Sequence, residues 1–347
     1  MTNKGFNLDI ISKYRNEIYG FSALWVMANH AFGFHWLELK FLGKIGEVIS
    51  KIGHMGNTGV DVFLFLSGIS LYFAYTNKSS VKSFMIKRFK RIMPAFLLVV
   101  IPIAFYIFIV QDHNINDFIL SSSTLGLWIN GFRWTPRFIS AITVFYILFP
   151  YIYEFIYING ERNSFIKLLI LLVFIYIFCY LLHLYNPTQY KYIEVALGRL
   201  PVFVFGTWFG QFVYKHKNVS RLWWILIFLS FAFFLYFVLF VKGKWYFRLI
   251  YIFGGVSITY ILAILFCTIN KLYTKINKFF RIIGKVSFEL YLTHAMVYRF
   301  LPYSYSRVKP DKTPWFISMI LSFLVALALP KVVEILIRNT KFFKKNS

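Results

Sequence analysis

Apolar runs of roughly 20 residues, each long enough to cross about 30 Å of hydrocarbon as a helix, recur along the whole chain. Read as helices they predict ten spans, at about 19–37, 60–76, 94–111, 138–157, 166–184, 200–214, 222–241, 249–268, 286–303 and 315–337. The connectors are short, so the pattern leaves no room for a soluble domain, and no internal repeat is visible. Strict alternation puts both termini on one side, together with connectors 77–93, 158–165, 215–221 and 269–285. That side holds well over half of the 38 Lys and Arg, including "KSSVKSFMIKRFKR" and "NKLYTKINKFFRIIGK", which makes it cytoplasmic. Segment 112–137, on the other side, is expected to be an external loop, re-entrant around "LGLWING". The expected fold class is therefore an all-α, polytopic integral membrane bundle. It forms a single domain over 1–347, with a basic cytoplasmic tail at 338–347.

Composition agrees. Hydrophobic residues make up 59% of the chain and charged residues only 15%, where an average soluble domain has about a quarter charged. Trp134, Trp223, Trp224, Trp245 and Trp315 stand at span ends, as interfacial aromatic belts require. Given this topology, the net charge of +25 reads as loop asymmetry and contact with anionic membrane lipids, not nucleic-acid binding. Cys179 and Cys267 sit singly in apolar runs, which implies neither a disulfide framework nor a metal site. The first residues are polar and no small-residue cleavage site follows the first run, so no cleaved signal is expected.

A few side chains do not belong in lipid. "LWVMANHAFGFHW" carries His30, with His35 close behind. His30 lies eleven residues past Tyr19, about 16 Å into the first predicted helix and near the midplane. It is either a packing histidine bonded to a carbonyl, or a base facing a polar cavity; intramembrane ionisable groups favour the second. Asp61 opens the second span in "GNTGVDVFLFLSG", where it either stabilises the helix N-terminus or takes part in chemistry. Ser67 and Gly68 on that span are small enough for a neighbour to pack closely. Arg88 and Arg91, in "FMIKRFKRIMP", are three apart and so share a helical face. They are either a basic flank or a guanidinium fork for a phosphorylated cytosolic ligand. In "GKVSFELYLTHAMV", Ser287, Tyr291 and His294 recur along one stripe that should face the interior, with Glu289 pointing elsewhere. Arg199 stands at an external helix start, where it can meet lipid headgroups or an anionic substrate.

These pieces, in this order, resemble the membrane acyltransferase-3 family, ten-helix O-acyltransferases that modify bacterial surface polysaccharides. The likeness runs over nearly the whole chain and rests on "YGFSALWVMANH", "GNTGVDVFLFLSGISLYF", "FMIKRFKRIMPAF", "RLPVFVFG" and "GKVSFELYLTHAMV". It implies His30 as the catalytic base, with Asp61, Tyr291 and His294 as further catalytic candidates. Arg88 and Arg91 would then hold the acyl-CoA donor. It also implies acetyl-CoA as co-substrate with no permanently bound cofactor or metal, and a polysaccharide or lipid-linked glycan as acceptor. The location would be a bacterial cytoplasmic membrane. Two departures stand out. The family arginine eleven residues before the histidine is Tyr19 here, with Arg15 one turn earlier. The family's "WSLSVEEQFYLLFP" run is "WTPRFISAITVFYILFP", which keeps Trp134 and Tyr146–Pro150 but lacks the glutamate. The competing reading is a non-enzymatic transporter or flippase of a lipid-linked glycan. That should show charges paired across several helices and a repeat symmetry. A polysaccharide polymerase should carry a large arginine-rich external loop.

Overall fold

The computed structural model describes residues 6–33, 39, 42–76, 80–131, 136–158, 160–220, 222–241, 243–305 and 313–339. His35, Trp134 and most of the 338–347 tail lie outside them. The helices in order are α1 (Asp9–Lys13), α2 (Arg15–Gly33), α3 (Gly43–His54), α4 (Gly59–Thr76), α5 (Val81–Ala104), α6 (Ile115–Ser122), α7 (Gly126–Asn130) and α8 (Arg137–Tyr157). Then come α9 (Ser164–Tyr185), α10 (Pro187–Leu197), α11 (Leu200–Tyr214), α12 (Leu222–Phe240), α13 (Tyr251–Leu272), α14 (Thr274–Lys285), α15 (Ser287–Tyr305) and α16 (Thr313–Asn339). The only extended pairing among the described residues joins Phe6–Asn7 to Asn218–Val219. The chain is all-α.

Among the described residues, eight helical stretches are long and apolar enough to cross a membrane. Of the ten predicted spans, α2 and α15 are the two left out. Each has 19 residues, about 28 Å of helix, so length is not what they lack. They are too polar, and their polar side chains point inward. Glu17 and Ser22 on α2, and Glu289, Thr293 and His294 on α15, are all buried. The opposite case is α12, apolar all round, on which only Ile227 and Phe234 are buried. Such a helix presents its side chains to lipid, whereas an inward helix is free to carry polar groups.

Backbone contacts fix the packing around the interior. Helix α4 is held tightly against α11, where a Cβ on Gly68 would meet Phe203 O at 2.5 Å and one on Gly206 would meet Phe65 O. Small residues at such crossings are how helices approach closely where lipid offers no hydrophobic drive. Helix α2 runs antiparallel to α4: Arg15 reaches Ser70, Tyr19 stacks on Phe63, and Ser22 lies against Gly59.

Three expectations are corrected. Segment 77–93 is not a loop: α5 begins at Val81, with the Ser80 side chain accepting from Ser83 N at 3.2 Å. An N-cap followed by straight-chain Lys, Met and Arg favours helix over loop, so the basic flank is the helix's own first half. Segment 269–285 is also helical. Its α14 packs antiparallel on α2, with Gly20 against Phe280 and Gly284 against Asn16, and Arg281 donates to buried Glu17 at 2.7 and 2.9 Å. An amphipathic basic helix and a charged connector have the same composition, which is why hydropathy reads it as a link. Finally, α2 spans Arg15–Gly33, not 19–37. His30 therefore lies in its last turn, about 22 Å along the axis from Arg15, rather than at mid-helix.

Candidate active site

A cavity of about 390 Å³ opens where the first turns of α2, the middle of α4, the first half of α5 and the start of α15 converge. Sites for small molecules span about 300–1,000 Å³. Its wall carries four cations, Arg15, Arg88, Arg91 and Lys285, and no carboxylate. Hydroxyls of Tyr19, Ser67, Ser70, Tyr146, Ser287 and Tyr291 line the rest. The local folding explains this concentration. Arg88 and Arg91 share a face because the flank is helical, and Arg15 and Tyr19 share one because they are a turn apart on α2. The position where the family arginine is missing thus faces the same hollow as Arg15. Lys285 arrives at the end of α14, which Glu17 and Arg281 fasten to α2.

The two α5 arginines differ in their surroundings. Arg91 bonds Glu289 at 2.5 Å, and Glu289 is only 2% exposed against 53% for Arg91. Its guanidinium also lies 5.5 Å from the Phe288 ring. Arg88 packs over the ring of buried Phe84, and its Nε is buried with no hydrogen-bond partner among the described residues. Arg91 is therefore already neutralised by a carboxylate, while Arg88 is the one left for an incoming anion. Glu289 does point away from the Ser287–Tyr291–His294 stripe, but it reaches Arg91 and not solvent.

Three aromatic rings lead from the cavity toward the far end of α2. Tyr291 lines the cavity and stands edge-on to His294, with centroids 5.3 Å apart. His294 in turn lies 5.5 Å from His30. Nδ1 of His294 is 2.9 Å from Leu290 O. A carbonyl only accepts, so Nδ1 bears the proton and the neutral ring has its lone pair on Nε2. The two helices that hydropathy leaves out thus bring His30, Tyr291 and His294 together. A general base and a cation-lined anion site connected in this way can activate a hydroxyl against a phosphate-bearing acyl donor.

Asp61 is not part of this group. It stands in the first turn of α4, fully buried, where Arg199 Nε donates to Oδ1 at 3.2 Å. Arg199 also donates to Asn57 Oδ1 at 2.6 Å. Ser67, Ser70 and Leu71, one to three turns farther along α4, face the cavity; Asp61 does not line it. Nearby Arg248 packs against Gly198 and the Tyr251 ring, and burial together with Arg199 lowers its pKa from the usual guanidinium value. Sequence reasoning missed Ser70, Tyr146 and Lys285. Lys285 carried only the signal of a basic connector, and the other two carried none beyond their place on interior helices.

The family model described as an acyltransferase domain matches residues 20–333. No curated protein and no solved structure gives a significant match. The matched region runs from the first turns of α2 into α16 and so holds every helix that lines the cavity and both histidine-bearing helices. The chain belongs to the membrane acyltransferase-3 family and is a multi-pass membrane acyltransferase.

Proposed function

We propose that the protein transfers an acyl group, acetyl in the simplest case, from cytosolic acyl-CoA to a hydroxyl of a surface polysaccharide or lipid-linked glycan. Its place would be a bacterial cytoplasmic membrane, with the cation-lined end facing the cytosol. The observation that carries this is the continuity of the four-cation cavity with the Tyr291–His294–His30 row. CoA has its phosphates at one end and its thioester at the other. Arg88, aided by Arg15 and Lys285, would hold the phosphates, and the thioester would extend along α2 and α15 toward the histidines. His30 takes the proton of the acceptor hydroxyl as its oxygen attacks the thioester carbonyl. The new C–O bond forms, the C–S bond breaks, and the CoA thiolate takes up the proton. An alcohol is a poor nucleophile until a base takes its proton, and positioned acid–base groups contribute typically about 10²–10⁴-fold.

His30→Ala should therefore lower O-acylation of cell-surface glycan by at least about a hundredfold while leaving the protein's abundance in membranes unchanged. Substantial O-acylation surviving in that strain removes His30 from the base role and transfers it to His294.

A further inference from the structure

A second hollow, about 540 Å³, lies beside the first, between α5 and α8. Its lining is mainly apolar: Met85, Ile86, Phe89, Ile92, Met93 and Ile147, with basic Arg88 and Lys90 also on its wall. It shares Arg88, Ile92 and Tyr146 with the cation-lined cavity, so the two are adjacent across a common wall. On α8 the groove is bounded by Thr143 and Ile147, and Ile147 is 49% exposed.

We propose that this groove receives the alkyl part of the donor, so that the enzyme accepts acyl-CoA with chains longer than acetyl. The inference rests on the acyl-CoA reading above. Two features favour a donor chain over a bilayer lipid. The groove abuts the phosphate-binding cations instead of standing alone, and the residue on the shared wall, Arg88, has a buried Nε without a hydrogen-bond partner among the described residues. A ligand with an anionic head and an alkyl tail fits both hollows at once. Acetyl has a single methyl and leaves the second one empty.

The test uses purified protein in lipid nanodiscs and non-reactive S-alkyl CoA thioethers with ethyl, butyl, hexyl and octyl chains, with CoA as reference. Burying a methylene contributes about fourfold in affinity, so Kd should fall about fourfold per added carbon until the groove is full. Ile147→Trp fills the groove from its exposed rim and should flatten the series. Phe89→Ala opens the wall without adding bulk and should shrink the gain per carbon. A flat series with the unaltered protein, while CoA itself binds, overturns the groove assignment and leaves the donor reading standing; a bilayer lipid in the groove gives that result. An equal gain per carbon in Ile147→Trp means the chains partition into the disc and also overturns it. If CoA does not bind at all, the donor reading fails and the groove inference falls with it.

Discussion

Replacing the two α5 arginines one at a time should give two different defects, although they are three residues apart on one helix. Arg88 has no carboxylate partner among the described residues, so Arg88→Gln removes a cation from the cavity without exposing another charge. A hydrogen bond to a charged group contributes about 1.5–3 kcal/mol, which predicts an acyl-CoA Kd about ten- to a hundredfold weaker. Stability should change by no more than about 0.5 kcal/mol. Arg91→Gln does the reverse. It strips the partner from Glu289, a carboxylate that is 2% exposed. Removing one member of a fully buried pair costs about 3–5 kcal/mol. Because Arg91 is itself 53% exposed, water already supports its side of the pair, and the cost falls below that range.

Arg91→Gln, Glu289→Gln should recover much of that loss, since a neutral amide has no unpaired charge to bury. The double-mutant cycle isolates the coupling because each single change removes the same contact. Arg88 combined with Glu289→Gln should be additive. Thermal unfolding in detergent reports stability, and titration with CoA reports binding. The reasoning fails if Arg88→Gln binds CoA as tightly as the unaltered protein, or if Arg91→Gln is as stable and Glu289→Gln gives no recovery. Equal losses of CoA affinity and of stability in both single variants would also refute it, because the arginines would then be interchangeable flank charges.

Asp61→Asn should destabilise the protein by about 3–5 kcal/mol, because it leaves Arg199, only 4% exposed, buried without its counter-charge; the survivors that fold should keep their CoA affinity, and a selective loss of CoA binding at full stability would place Asp61 in the donor site instead. For sidedness, single cysteines at Lys82 and Asn116, both exposed, in a background lacking Cys179 and Cys267, should label oppositely with a membrane-impermeant reagent. Asn116 should react in intact cells and Lys82 only after lysis; the reverse would put the arginines where no CoA exists.

Eight of the ten spans were legible because lipid-facing helices must be apolar around their whole circumference, as α9 and α12 are, and a run of that kind has no other reading. The elements that hydropathy misread share one cause. Helix α14 and the first half of α5 carry charge on one face and pack or bind with the other. A window average over such a segment equals that of a loop. Their amphipathic spacing was in the sequence, but only the close approach of Gly20 to Phe280 and of Gly284 to Asn16 shows what the inner face meets. The site residues divide in the same way. Those readable one at a time, His30, Tyr291, His294, Arg88 and Arg91, were anomalies within their own helix. Ser70, Tyr146 and Lys285 are unremarkable locally and acquire a role only through the convergence of four helices. Asp61 shows the complementary error: a carboxylate at a helix start looks chemically available until its partner, 138 positions away at Arg199, is known.

The polarity of α2 and α15 is what their position demands. A bundle that brings a charged cytosolic donor to an acceptor across a bilayer needs a path along which phosphates and a proton are solvated by protein, since hydrocarbon solvates neither. Helices that line such a path must carry the polar groups themselves, and once ringed by apolar neighbours they lose nothing by doing so. Hence the least membrane-like helices occupy the centre, and the most membrane-like, α12, faces outward with no polar side chain beyond Ser230 and Tyr236. Low hydropathy in a chain otherwise built of apolar spans is here a pointer to the site. By the same logic the buried Glu17–Arg281 pair, which holds α14 and therefore Lys285 beside α2, belongs to the architecture of that path even though neither residue lines the cavity.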